Sequence, residues 1–294
     1  MSRSFGLRIN SNPNSPGLWP INLVRRITHY AFMLRVQNLS ITYGNNPLPT
    51  VEGVSFDMEK GDIVAIVGES GSGKTTVIRA ILGSLSGGGR VSAGDIIFEG
   101  ESLLSYGPKQ WQQLRGTKIS MIFQDSGAMI NPIRKIGSQY VEYIRTHEKI
   151  SKKDAWAKGV RMLENMRLPD GDNVMKSYPF ELSGGMRQRV GIAMAMTFRP
   201  DLLLGDEPTS ALDVTTQAQI VRQMTELRDK YNTGIIIVTH NIGVAAYMAD
   251  KIIVMKDGRV VDMGSREKIL KDPSDPYTVN LLESVPSLGS ERFV

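Results

Sequence analysis

The sequence is 294 residues long and carries 35 Lys+Arg against 30 Asp+Glu, a net charge of +5, with no cysteine. The lack of cysteine excludes disulfides, thiolate zinc sites and cysteine-held iron–sulfur clusters from this sequence, and a chain of this length buries a sizeable core without such staples. Most of the excess charge, Arg3, Arg8, Arg25 and Arg26, lies in residues 1–32, which hold no acid; the remainder is nearly neutral, which argues against nucleic acid as a partner.

From the start, residues 10–20, "NSNPNSPGLWP", are rich in turn formers. Residues 21–34 admit two readings, a basic amphipathic helix lying on a membrane or partner, or part of a loosely ordered extension over 1–32; the second is the simpler. No secretory signal pattern follows Arg3 and Arg8. The longest uncharged apolar-rich run, Asn232 to Ala249, is interrupted by Thr239, His240 and Asn241, so no membrane span is expected. A domain is expected to begin at Met33. "LRVQNLSITY" and "VEGVSFDME" alternate like antiparallel strands. "DIVAIV", residues 62–67, is a short apolar run suited to a buried strand. A glycine-rich stretch follows, and Lys74 to Leu82 reads as a helix. Residues 105–200 are expected to be mainly helical, with Ser151 and Asp154 marking one helix start. "DLLLGDE" reads as a second buried strand, "VTTQAQIVRQMTELRDKY" as a helix with Ile220, Val221, Met224 and Leu227 on one face, and "GIIIVTH" as a third strand. "KIIVMKDGRVVDMG" reads as a hairpin turned at Asp257–Gly258. Strands alternating with helices predict a largely parallel, doubly wound α/β sheet.

The stretch Gly68-Glu69-Ser70-Gly71-Ser72-Gly73-Lys74-Thr75-Thr76 is either a flexible linker or a backbone that wraps an anion. Its place between a buried strand and a helix favours the second. Glycine-rich backbone turns its N–H groups inward around phosphate oxygens, and the following helix aims its free N–H groups at the same point. Lys74 then reaches the terminal phosphates and the Thr75 hydroxyl meets Mg²⁺. A carboxylate ending a neighbouring strand completes such a site. Asp206 is the candidate metal partner and Glu207 the candidate base, although two acids after an apolar strand also make an ordinary solvated turn.

With "LSGGMRQR" at Leu182–Arg189 added to this series, the sequence resembles the ATPase subunits of ATP-binding-cassette (ABC) transporters. The order Tyr43, Gly68–Thr76, Gln124, Ser183–Gly185, Asp206–Glu207, "SALD" ending at Asp213, and His240 is similar to the family's over about residues 33–286. The resemblance implies a P-loop (RecA-like) core with an antiparallel β subdomain and an α-helical subdomain. It implies that Tyr43 stacks on adenine, or else is a strand aromatic of the core. It further implies that Gln124 touches Mg²⁺ or water and reports to a membrane subunit, and that His240 contacts the γ-phosphate. Ser183, Gly184 and Gly185 are then an anion site for the ATP held by a second ATPase subunit, with Asp213 at the shared interface. The domain is expected to span 33–265, with a helical subdomain at about 105–200 that docks the permease, followed by a C-terminal segment, 266–294.

"FQDSGAMINPIRKIG", "ALDVTTQAQI" and "DPYTVNLLESVP" are similar to the oligopeptide, dipeptide and nickel importer branch. Ser126, Ile130 and Asp275 stand where proline, leucine and histidine are usual, and no cysteine-bearing tail is present in this sequence. The last of the three stretches also reads simply as a terminal amphipathic helix. The resemblance thus implies an ATP- and Mg²⁺-dependent ATPase at the cytoplasmic face of the inner membrane. It would form a homodimer or heterodimer and serve two permease subunits and, indirectly, a solute-binding protein, for peptides, nickel or a metal–chelate. The alternatives are an exporter subunit and a soluble cassette protein.

Overall fold

The computed structural model describes residues 32–284 apart from 45, 125–128 and 211. The extension 1–31, Ser126, Ala211 of "SALD" and the end of the C-terminal segment, 285–294, lie outside the described residues. Within them the chain opens with β1 (Leu34–Tyr43), β2 (Val51–Met58), β3 (Ile63–Val67) and α1 (Lys74–Ile81). Strands β4 (Gly89–Phe98) and β5 (Glu101–Ser102) come next, then α2 (Pro108–Leu114) and β6 (Ile119–Ile122). A helical stretch holds α3 (Ile136–His147), α4 (Lys152–Asn165), α5 (Gly171–Lys176) and α6 (Gly184–Met196). The remainder alternates through β7 (Leu202–Asp206), α7 (Val214–Tyr231), β8 (Gly234–Thr239) and α8 (Ile242–Met248). It closes with the hairpin β9 (Lys251–Lys256) and β10 (Arg259–Ser265), then α9 (Arg266–Lys271) and α10 (Pro276–Glu283).

Two sheets form. One has the order β2-β1-β4-β5 and is antiparallel, as alternation in β1 and β2 predicts. The other has the order β10-β9-β3-β8-β7-β6, with β9, β3, β8, β7 and β6 parallel and β10 antiparallel at the edge. The strands β3, β7 and β8 are buried along their whole length, and apolar except for Asp206 and Thr239 at the ends of β7 and β8, because both faces are covered. Successive side chains alternate between two cores. Ile63, Ala65 and Val67 of β3 pack with the helices α3, α4, α6, α7 and α8, whereas Val64 and Ile66 pack with α1 and the antiparallel sheet.

The expected span 105–200 is mainly helical, and it also contains β6, which pairs with β7 and so belongs to the central sheet. Ser151 caps α4, its Oγ accepting the Asp154 N–H at 3.1 Å. The hairpin turns at Asp257 and Gly258 as expected, both with positive φ, 49° and 80°. Here glycine is obligatory, because a Cβ on Gly258 would stand 2.3 Å from the Thr50 carbonyl oxygen. The Gly258 N–H donates to the Ser72 carbonyl at 3.3 Å, and its own carbonyl accepts the Glu52 N–H at 2.9 Å. The turn therefore touches both the antiparallel sheet and the loop after β3.

Candidate phosphate-binding site

Strands β3, β8 and β7 are neighbours, and each delivers its C-terminal end to the same edge of the sheet. From β3 comes the loop Gly68–Gly73; from β7, Asp206 and Glu207; from β8, His240. A crevice outside the carboxyl ends of parallel strands is where open α/β sheets bind ligands.

Gly68 leaves β3 at φ 152°, where a Cβ would lie 2.1 Å from the Met255 carbonyl oxygen of β9. Only glycine lets the loop start so close to its neighbour. Gly73, at φ 94°, then caps α1, whose first turn holds no acid of its own, and whose free N–H groups and positive dipole end suit an anion. Lys74 is 4% exposed and folds back under the loop. Its Nζ donates to the carbonyls of Gly68 at 2.8 Å and Glu69 at 2.6 Å, and to Ser72 Oγ at 3.3 Å. Burial pulls the lysine pKa down, and the carboxylates of Glu207, Asp206 and Glu69 pull the other way.

Thr75 Oγ1 donates to Asp206 Oδ1 at 2.7 Å. Asp206 is 5% exposed, and burial raises its pKa against the opposing pull of that hydroxyl and of Arg79. These two hard oxygens beside a phosphate loop suit Mg²⁺, which takes one or two protein ligands and fills its shell with phosphate and water. Among the described residues no group of three or more acids and histidines forms a metal cage.

Glu207 adopts φ 45°, uncommon for a residue with a side chain. Its N–H bonds the Val238 carbonyl at 2.9 Å, and its own carbonyl accepts from the N–H and Oγ of Ser210. The turn thereby holds the acid against His240, whose Nδ1 lies 3.2 Å from Glu207 Oε2. Gln124 Nε2 approaches the same oxygen at 3.5 Å, so the contact Gln124 makes is with the acid.

Tyr43 ends β1 half-buried, its ring over Gly89 and packed on the core beneath the antiparallel sheet. It stands two residues beyond Ile41, whose carbonyl accepts the N–H of Thr50, next to Gly73. Ser183, Gly184 and Gly185 open α6, and Ser183 Oγ accepts the Met186 N–H at 3.3 Å. A Cβ on Gly184 would meet nothing within 4 Å, so this helix start is open. Gly185 lies against Thr216 of α7, whose N-cap Asp213 accepts the Thr216 N–H at 2.9 Å and Oγ1 at 2.7 Å. Among the described residues no hydrogen bond or ion pair joins Ser183, Gly184, Gly185 or Asp213 to the phosphate loop. One loop contact is invisible in the local sequence: the Glu69 N–H donates to Tyr277 Oη at 2.9 Å, from α10. Only the fold brings these residues together.

The ABC transporter family matches residues 51–210. The oligopeptide transport ATP-binding protein OppD of Bacillus subtilis (strain 168) is 45% identical over 262 residues, 88% of this chain and 73% of that protein. The dipeptide transport ATP-binding protein DppD of Lactococcus lactis subsp. cremoris is 41% identical over 262 residues, covering 88% and 75%. Among solved structures, the dimeric post-hydrolysis state of the ATP-binding cassette MJ0796 with ADP and Pi superposes with a TM-score of 0.70 at 26% identity, over 80% of this chain and 99% of that one. The protein cbiO1 from Clostridium perfringens, part of the ABC transporter complex cbiONQ, gives a TM-score of 0.71 at 26% identity, over 82% and 91%.

Proposed function

Because the chain belongs to the ABC transporter family, we propose that it is the ATP-hydrolysing subunit of a peptide importer. The observation that carries the chemistry is the meeting of three strand ends: the Lys74 loop, the Thr75–Asp206 pair and the Glu207–His240 pair. Peptide is the cargo we favour, because oligopeptide and dipeptide transport proteins are relatives at 45% and 41% identity.

Backbone N–H groups of Gly71–Thr76 would cradle the phosphates, and Lys74 would exchange its loop carbonyls for phosphate oxygens. Thr75 Oγ1 and Asp206 would hold Mg²⁺, which when bound neutralises charge on the transferring phosphoryl group. Glu207 would orient the attacking water and take its proton. With Nδ1 of His240 3.2 Å from Glu207 Oε2, its other nitrogen, Nε2, would be left for the γ-phosphate or the water. Gln124, against Glu207, would sense the same water. Tyr43 would stack on adenine at the edge of the antiparallel sheet.

The start of α6 is open at Gly184 and, among the described residues, bonds no part of the chain's own loop, which supports a composite site: Ser183, Gly184 and Gly185 of one subunit would close over the ATP of a second, with Asp213 at the seam. MJ0796 is described as dimeric. Two permease subunits would dock on the helical stretch, with the ATPase on the cytoplasmic face of the membrane; no helix among the described residues is long and apolar enough to cross one. Reconstituted in vesicles with its permeases, the complex should couple ATP turnover to accumulation of labelled peptide. Peptide uptake that proceeds without ATP, or a full assembly that does not hydrolyse it, overturns this reading.

A further inference from the structure

The phosphate loop is held from outside the cassette motifs. Tyr277 is the second residue of α10 and is 9% exposed. Its hydroxyl oxygen accepts the Glu69 N–H at 2.9 Å. The carbonyl of the same residue accepts from Lys74 Nζ at 2.6 Å. Glu69 is thus gripped at both ends of its backbone, by the lysine that must reach phosphate and by a tyrosine 208 positions further along.

The tyrosine is itself fixed. Its N–H donates to Asp275 Oδ1 at 2.8 Å, and the N–H groups of Ser274 and Asp275 donate to Asp262 Oδ2 at 2.7 and 3.2 Å. Asp262 is 4% exposed in β10, so the chain of contacts ends in the sheet. Lys256 of β9 sets its ammonium 5.0 Å from the ring centroid, a cation–π contact that holds the ring. Burial raises the phenol pKa, so the oxygen stays a neutral hydroxyl at physiological pH.

We propose that Tyr277 is a positioning residue for the phosphate loop, and that through it the docked state of α10 sets the affinity for ATP. This rests on the reading of Gly68–Thr76 as the nucleotide loop. When Lys74 leaves the Glu69 carbonyl for phosphate, that carbonyl keeps the Ser72 N–H at 3.2 Å, and the tyrosine hydroxyl keeps its hold on the Glu69 N–H from outside the loop, so the loop stays open at the width the phosphates need. The coupling runs both ways: ATP in the loop strengthens the docking of α10, and undocking α10 weakens ATP.

The test is Tyr277→Phe in the full chain, which keeps the ring, its packing and the Lys256 contact and removes only the acceptor. Losing one hydrogen bond should weaken binding of a fluorescent ATP analogue by roughly two- to tenfold. In the assembled ATPase the change should fall on KM more than on kcat. Without nucleotide, the Glu69 amide should exchange its hydrogen faster in the variant. Val279→Ser, on the exposed face of the same helix, should change neither binding nor exchange. Wild-type affinity and wild-type Glu69 exchange in Tyr277→Phe overturn the proposal. Failure of the wild-type chain to bind the analogue overturns the nucleotide reading itself, and this proposal with it.

Discussion

Glu207 carries the most unusual backbone of the site, an acid at φ 45° locked by hydrogen bonds at its N–H and carbonyl. Strain of this kind persists where the surroundings over-determine it, and it aims one carboxylate at one place. Glu207→Gln should keep ATP affinity and cut turnover of the assembled ATPase by roughly 10²–10⁴-fold, read from steady-state phosphate release; near wild-type turnover would remove Glu207 from the mechanism. Asp206 is the opposite case, a carboxylate whose burial opposes its charge. Its folded pKa lies above its unfolded value, so the neutral form's contribution to stability is present below the ordinary aspartate range and is lost as pH rises through the folded value. Asp206→Asn should therefore raise the melting temperature of the nucleotide-free chain at neutral pH, by a stabilisation of about 0.5–2 kcal/mol. The gain should shrink as pH falls toward the aspartate range, and Mg²⁺-dependent ATP affinity should drop. A variant no more stable than wild type at neutral pH contradicts the burial argument. Lys74, Thr75 and Asp206 were legible in the sequence because glycine spacing and a strand-end acid are local signals. The Glu207–His240 contact was not, since its geometry depends on β7 and β8 lying side by side. Tyr277 lies in the stretch "DPYTVNLLESVP" that the resemblance marks, but nothing local ties it to a loop 208 positions earlier.

At the scale of elements, β3, β7 and β8 were readable because continuous apolar runs of five or six residues bounded by loop residues suit few other structures. The two-core arrangement explains the runs: every side chain of β8 is buried, alternately toward the helices and toward α1. Ile236→Ala, at 0% exposure on the face toward the antiparallel sheet, should cost about 2–5 kcal/mol. A urea melt should show it as a lower midpoint with an unchanged slope; a midpoint within error of wild type would mean the second core is not tightly packed. The strand β6 escaped the reading. Four residues, "ISMI", inside a predominantly helical stretch carry too short a period to separate strand from helix, and the pairing that makes them a strand is with β7, about eighty positions away. The cap of α4 and the turn of the hairpin, by contrast, are set by side chains and backbone angles within three residues, and both were legible.

For the whole molecule, the single chain holds the glycine-rich loop proposed to take phosphate and, on α6, a helix start that is open at Gly184 and bonds no part of that loop among the described residues. Ser183→Arg should leave ATP binding to the isolated chain within about twofold, since the loop is untouched. It should lower turnover of the assembly by at least about tenfold and abolish any ATP-dependent dimer seen by light scattering of the Glu207→Gln background, by analogy with loss of an electrostatic contact to the reacting phosphate. Full turnover in that variant would mean one subunit suffices. The turn at Gly258 has a mechanical meaning beyond its geometry. Its amide clasps the glycine-rich loop after β3 and its carbonyl clasps β2 of the neighbouring sheet, with Thr50 pressed against it. Joined in this way, those three pieces should move together, and any stroke that ATP drives should be taken up where the helical stretch rejoins the sheet, near 177–183. Because the sequence has no cysteine, paired spin labels can be placed at will: the span from Leu48 to Met263 should hold constant on adding nucleotide, while that from Leu48 to Phe180 shortens or lengthens.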